Sequence, residues 1–223
     1  MDLSMIPIVL LATFLILSSP QQAESGQNTY KNPGATSGVQ TNLQTNKLPE
    51  WNKTPDYTNN IKNEDIEYKT IYRYITSVFK KISKEEAKQI AENIIQYSKE
   101  FNLDPKLAAA LIARESAFNK EAISVTGAKG LGQIKNFNFK DLKIKNPHDI
   151  KQNVRGTVKY LRSMISKWKD DSKSVSKGLA SYYKGYTAVK TSKTIDNPTK
   201  HYVKDILKYY DDINHIKKQV QQQ

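Results

Sequence analysis

"LDPKLAAALIARESAFN" (Leu103–Asn119) has the marks of a helix with an acid near its end. Asp104 is a capping residue, and Pro105 suits the first helical position, where a missing N–H costs nothing. At roughly 100° per residue, Ala108 and Glu115 come within about 20° of each other after two turns. Ala108, Leu111, Ile112 and Glu115 therefore share one stripe, while Arg114 points about 100° away. A carboxyl on that stripe is partly buried and lies near the negative end of the helix dipole. Both effects disfavour its anion and raise its pKa. A carboxylic acid still protonated near neutral pH can donate its proton to a leaving group. The position equally suits a Glu neutralised by a nearby Lys or Arg, because structural ion pairs also perturb pKa. The helix by itself leaves a surface acid, an ion pair and a catalytic group all open.

Helical spacing continues on both sides. From Ile66, the residues Tyr68, Ile71, Tyr72, Ile75, Val78, Phe79 and Ile82 recur at three-and-four intervals. "SKEE" is a capping box, with Ser83 as cap and Glu86 three residues on; Ala87, Ile90, Ala91, Ile94, Ser98 and Phe101 follow as a stripe. Further helices are predicted from about Asp149 to Trp168, Ser174 to Lys184 and Thr199 to Lys217. Strand signals are weak. The reading is one all-α domain over residues 66–220.

Ahead of it lie two segments of different character. Ile6 to Leu17 is an apolar run, too short for a comfortable membrane span of roughly 20 residues but suited to a secretory signal. Residues 1–23 are expected to be a signal peptide, removed or retained as an anchor, which makes the protein exported to the periplasm or cell envelope. Residues 24–65 are rich in Asn, Gln, Thr, Ser, Pro and Gly and read as a disordered linker. The formal charge of the 223-residue chain is +13, and the basic excess lies after residue 65. Such a charge favours an anionic partner, with binding that weakens in salt. Cysteine is absent, which excludes disulfides, thiolate metal sites and a cysteine nucleophile. His148, His201 and His215 lack ligand spacing, so no metal or other cofactor is expected.

Beyond the helix, "SVTGAKGLGQI" gathers Gly127, Gly130 and Gly132 into a tight turn. It lacks the Gly-Lys-Ser/Thr ending of a phosphate loop. Taken together, "ARESAFNKEAISVTGAKGLGQI" resembles the lytic transglycosylase SLT domain, a relative of goose-type lysozyme. The family's Glu-Ser is matched by Glu115 and Ser116, and its Ser-x-x-Gly-Ala-x-Gly-Leu-Met-Gln by Ser124, Gly127, Ala128, Gly130, Leu131 and Gln133. "NVRGTVKYL" (Asn153–Leu161) looks like its Asn-x-x-x-Gly-x-x-Tyr-Leu helix. "GLASYYKG" (Gly178–Gly185) looks like its Ala-x-Tyr-Asn-Ala-Gly segment, and "HYVKDIL" (His201–Leu207) like its Tyr-Val helix. The resemblance spans about 105–210 with its motifs in family order.

The resemblance implies a lysozyme-like fold and cleavage of the β-1,4 bond between N-acetylmuramic acid and N-acetylglucosamine in peptidoglycan. Glu115 would be general acid and then base, releasing a 1,6-anhydro product. This is substrate assistance, outside the two-carboxylate scheme. Glu121, Asp141 and Asp149 are the candidates for a second carboxylate. Ser116, Ser124, Gly130, Leu131, Gln133, Tyr182 and Tyr202 would bind substrate. Gln133 would bond a sugar, and Tyr182 and Tyr202 would hold Glu115 or the N-acetyl group through their hydroxyls. The chain departs from the family at Gly132, where Met is usual, at Tyr183 and Lys184, where Asn-Ala is usual, and at Pro198. A Gly at 132 would widen a subsite or loosen sugar contacts. The implied partners are glycan strands, anionic envelope polymers and envelope machinery; nucleic acid is not expected, and a monomer is. Two alternatives stand beside this: a hydrolytic lysozyme on the same fold, and a non-enzymatic basic module that binds wall polymer or nucleic acid.

Overall fold

Side-chain caps start the helices where the chain supplies them. The computed structural model describes residues 61–222. The expected signal and the linker up to residue 60 lie outside the described residues. α1 (Ile61–Val78) begins earlier than its clear periodicity, inside the stretch that composition assigns to the linker. α2 (Lys84–Phe101) is capped by Ser83, whose hydroxyl accepts from the Glu86 amide at 3.1 Å. α3 (Pro105–Ser116) is capped by Asp104, which accepts from the Lys106 amide at 2.8 Å. A 3-10 turn (Asn136–Asn138) and the short α4 (Phe139–Leu142) follow. α5 (Ile150–Ser166) is capped by Asp149. α6 (Ser174–Lys184) and α7 (Tyr186–Thr191) meet at Gly185. α8 (Asn197–Gln221) is capped by Asp196 and carries Pro198 in its first turn, where proline is tolerated. Among the described residues the only extended pairing is two isolated bridges, Ile123 with Lys129 and Lys129 with Ile134. They shape the glycine-rich loop.

α3 is the hub. It packs against α8, α2, α1 and α5. The periodicity predicts one apolar face, but Ala108, Ala109 and Ala110 are all fully buried, as are Leu111 and Ile112. A helix that is apolar all round belongs inside. The small alanines let the neighbouring helices come close on every side. At its N-terminus Lys106 is buried too, paired with Asp104 at 3.1 Å and with Glu67 of α1. Burial of that ammonium is tolerable because both carboxylates raise its pKa against the effect of desolvation.

The C-terminal end of α3 stops abruptly. Ala117 and Phe118 both have left-handed φ, 51° and 61°. Non-glycine residues adopt that region at a cost of about 1–2 kcal/mol each. The strain is held by packing: Phe118 is buried, edge-on to Phe79 at 5.0 Å and Tyr74 at 6.3 Å. Glu115 is thereby fixed in the last turn of α3.

Candidate active site

Glu115 is half-buried on the side of α3 that meets α8. The Tyr202 hydroxyl, from the first half of α8, donates to Glu115 Oε1. Tyr202 is itself buried, and its ring lies 5.5 Å from the Arg114 guanidinium. Arg114 is held in turn by Asp205 at 3.0 Å. The carboxyl feels two opposing influences. Burial raises its pKa and is the largest effect; the Tyr202 hydrogen bond and the Arg114 charge lower it. Burial wins, and the pKa rises from 4.5 to about 7. Glu115 in turn pushes up Tyr202, whose burial already places its pKa well above 10. The phenol thus remains a hydrogen-bond donor. The alternative of a structural ion pair is not what surrounds Glu115: its hydrogen-bond donor is a neutral hydroxyl, and the nearby cation is engaged by Asp205.

The three other acids considered for a second carboxylate are occupied elsewhere. Glu121 is exposed and pairs with Lys120 at 2.9 Å. Asp149 caps α5, and Asp141 is exposed on α4. Among the described residues, none of them contributes to the Glu115 shift.

The glycine-rich loop is clamped from α5 and α6. Asn153, buried on α5, accepts from the Gly132 amide at 2.8 Å and donates to the carbonyls of Lys129 at 3.1 Å and Pro147 at 2.8 Å. All of its side-chain polar atoms are bonded, so its work here is structural. Gly130 has φ +74°, and an added Cβ would fall 2.2 Å from Asn153 Nδ2. Glycine is required there both by conformation and by close approach. The Gly132 carbonyl accepts from the Tyr182 hydroxyl at 2.7 Å. Tyr182 therefore anchors the loop through the hydroxyl that was expected to hold Glu115 or the N-acetyl group. The Glu115 charge and burial both raise the Tyr182 pKa, burial more.

Several of the residues expected at the substrate have structural partners. Leu131 is fully buried core, and Ser116 is buried with its hydroxyl donating back to the Ile112 carbonyl at 3.3 Å. Neither side chain is open to a ligand. The Ser124 hydroxyl accepts from the Ala128 amide at 3.0 Å and closes the turn. Gln133, with φ +50°, is half-buried and donates to the carbonyls of Ala122 at 3.1 Å and Gly130 at 2.9 Å. Its amide oxygen is the group left to accept from a ligand. Gly132 does not open space: a Cβ there would lie 1.9 Å from Thr157 Oγ1, so Thr157 on α5 fills that volume. On the spacing counted from Asn153, position 157 is the family's glycine. Bulk and absence of bulk have exchanged between the loop and α5. Lys184 pairs with Asp196, the cap of α8, and so links α6 to the helix that carries Tyr202.

Sequence reasoning missed Arg114, Thr157 and the stacking of Tyr183 on Tyr202 at 4.5 Å. The first was set aside as lying off the apolar stripe. The others depend on how α5, α6 and α8 meet, for which local spacing carries no signal.

Comparison with known proteins bears on the family and the fold. The family model described as Transglycosylase SLT domain matches residues 92–203. A membrane-bound lytic murein transglycosylase F of Photobacterium profundum is 40% identical over 94 residues, covering 41% of this chain and 18% of that one. A transglycosylase of Enterobacteria phage PRD1 is 34% identical over 94 residues, covering 42% of this chain and 34% of that protein. The chain thus spans about a third or less of the length of these relatives. The crystal structure of the 70 kDa soluble lytic transglycosylase of Escherichia coli superposes with a TM-score of 0.50 at 18% identity, covering 72% of this chain and 31% of that one. That likeness concerns the fold.

Proposed function

Since the chain belongs to the transglycosylase SLT domain family, whose model covers half of it, we propose that it cleaves peptidoglycan glycan strands as a lytic transglycosylase, with Glu115 as general acid and then general base. The observation that carries this reading is the Glu115 carboxyl: half-buried, held by the Tyr202 hydroxyl and poised at a pKa of about 7. A group with that pKa is protonated often enough to donate and basic enough to accept near neutral pH. Both named relatives are transglycosylases, one of them acting on murein.

The proposed steps need one protein carboxyl. Protonated Glu115 gives its proton to the β-1,4 glycosidic oxygen as the bond to the anomeric carbon of N-acetylmuramic acid breaks. The substrate's N-acetyl oxygen stabilises the developing cation. The Glu115 carboxylate then takes the proton of the sugar's 6-hydroxyl as that oxygen bonds to the anomeric carbon. Glu115 is protonated again, no water is consumed, and the product is a 1,6-anhydromuramoyl end. Tyr202 orients the carboxyl and, by donating to it, favours the anion formed after the first transfer. Glu121 is paired with Lys120 and Asp149 caps α5, which suits a scheme that uses Glu115 as its one protein carboxyl.

The basic charge of +13 suits retention near anionic wall polymers. An envelope location follows from the proposed substrate and from the membrane-bound relative. Among the described residues no helix is long and apolar enough to cross a membrane. The test is Glu115→Gln against wild type on purified peptidoglycan. Loss of cleavage by the variant, with wild type active, is expected. Cleavage retained by the variant overturns the role of Glu115, and no cleavage by wild type favours the binding-module alternative.

A further inference from the structure

Tyr183 follows Tyr182 on α6, yet the two tyrosines do different things. Tyr182 points inward to the Gly132 carbonyl. Tyr183 is 50% exposed, one of few large hydrophobic side chains so exposed among the described residues. Its ring is stacked on Tyr202, with centroids 4.5 Å apart and planes 20° from parallel. Tyr202 is buried and donates to Glu115. With one ring face against Tyr202, the exposure of Tyr183 comes from its outer face and rim. A flat aromatic face is thus held open to solvent one ring away from the residue that bonds the reactive carboxyl. The stack fixes its orientation before any ligand arrives, which lowers the ordering cost of binding.

Aromatic rings combine an apolar face with a polar hydroxyl, and they suit ligands that are apolar on one face and polar at the edge. A pyranose ring is such a ligand: its axial C–H bonds make an apolar face and its hydroxyls a polar rim. We propose that Tyr183 is a substrate-binding residue, presenting its outer face to a sugar ring of the glycan next to the bond that meets Glu115. This rests on the reading of Glu115 given above and adds a specificity determinant to it. Position 183 holds Asn in the family pattern, so the platform is a feature of this chain. Tyr183 acts by contact with the sugar and not through Tyr202.

Solubilised, peptide-free glycan strands are the probe. In wild-type background, Tyr183→Ala and Tyr183→Leu are expected to raise KM about tenfold with little change in kcat, equivalent to about 1.4 kcal/mol. Tyr183→Phe keeps the face and is expected to stay near wild type. Leu keeps the apolar bulk, so a normal KM for Tyr183→Leu with a raised KM for Ala overturns the stacking claim. An unchanged KM in all three variants overturns it too. So does a fall in kcat with a displaced pH profile and a normal KM, since that places the action in Tyr202. Binding of the same strands to Glu115→Gln, with and without Tyr183→Ala, separates this proposal from the one it rests on. Equal affinity refutes Tyr183 alone. No binding by Glu115→Gln and no cleavage by wild type refute both.

Discussion

Replacing Glu115 by Gln should make the protein more stable, and only above a certain pH. The folded-state pKa of about 7 lies above the ordinary 4.5. Between these values the folded chain holds a proton that the unfolded chain has lost. Stability from this group is therefore complete below about pH 4.5 and falls as pH rises through about 7. At roughly 1.36 kcal/mol per pH unit, the difference between 4.5 and about 7 is about 3 kcal/mol. The carboxyl is only half-buried, so solvent screening reduces this to about 1–3 kcal/mol. Gln is close to isosteric with the protonated acid, and its oxygen can still accept from Tyr202. It avoids the cost of a buried anion. Glu115→Gln is then expected to match wild type near pH 4 and to exceed it by about 1–3 kcal/mol at pH 8. At roughly 2–4 °C per kcal/mol for a domain of this size, the gain in Tm is about 2–12 °C. Denaturant and thermal unfolding of the two proteins across this range is the assay. A variant no more stable at pH 8, or equally stabilised at every pH, refutes the raised pKa.

The same pKa fixes the alkaline limb of catalysis: kcat/KM should fall as pH rises through about 7, because the donor form is lost. A pH–rate profile flat through that region contradicts it. Tyr202→Phe removes a donor that lowers the Glu115 pKa, so this limb should move to higher pH while kcat falls by at least about tenfold; the paired profiles of variant and wild type read both effects. Gly132→Ala should destabilise by about 2–3 kcal/mol, since its Cβ meets Thr157, and Thr157→Gly in the same chain should recover most of that. A double-mutant cycle by urea unfolding measures the coupling, and strict additivity speaks against the exchange of bulk between the two positions.

Much of the scaffold was legible because caps are local chemistry. Ser83 and Asp104 accept from the amides that their positions predict, and Asp149, where the next helix was expected to begin, caps it in the same way. α4 and α7 were not legible, since helices of 4 and 6 residues cannot display a period. The all-round burial of α3 was present in the run of three alanines but was read as one stripe. At the site, periodicity alone placed Glu115 at the edge of an apolar face with a raised pKa. Its donor, Tyr202, lies 87 residues away and was reached only through family resemblance. Leu131, Ser116 and Tyr182, expected at the substrate, hold the fold around the loop, and one reason covers all three. A motif records which residues recur, while burial decides whether they touch a ligand or support the loop that does. Gly132 shows the same limit: its vacancy is filled by Thr157 from another helix, which no local spacing announces.

The central claim is that Glu115 moves one proton out and back while the sugar's own 6-hydroxyl closes the ring. Digestion of purified peptidoglycan by wild type in 18O-labelled water, with mass spectrometry of the released muropeptides, tests it directly. Products one water lighter than reducing ends, carrying no 18O at the new terminus, are expected from wild type, and no such products from Glu115→Gln. Reducing ends labelled with 18O would show that water is the nucleophile, and would contradict it.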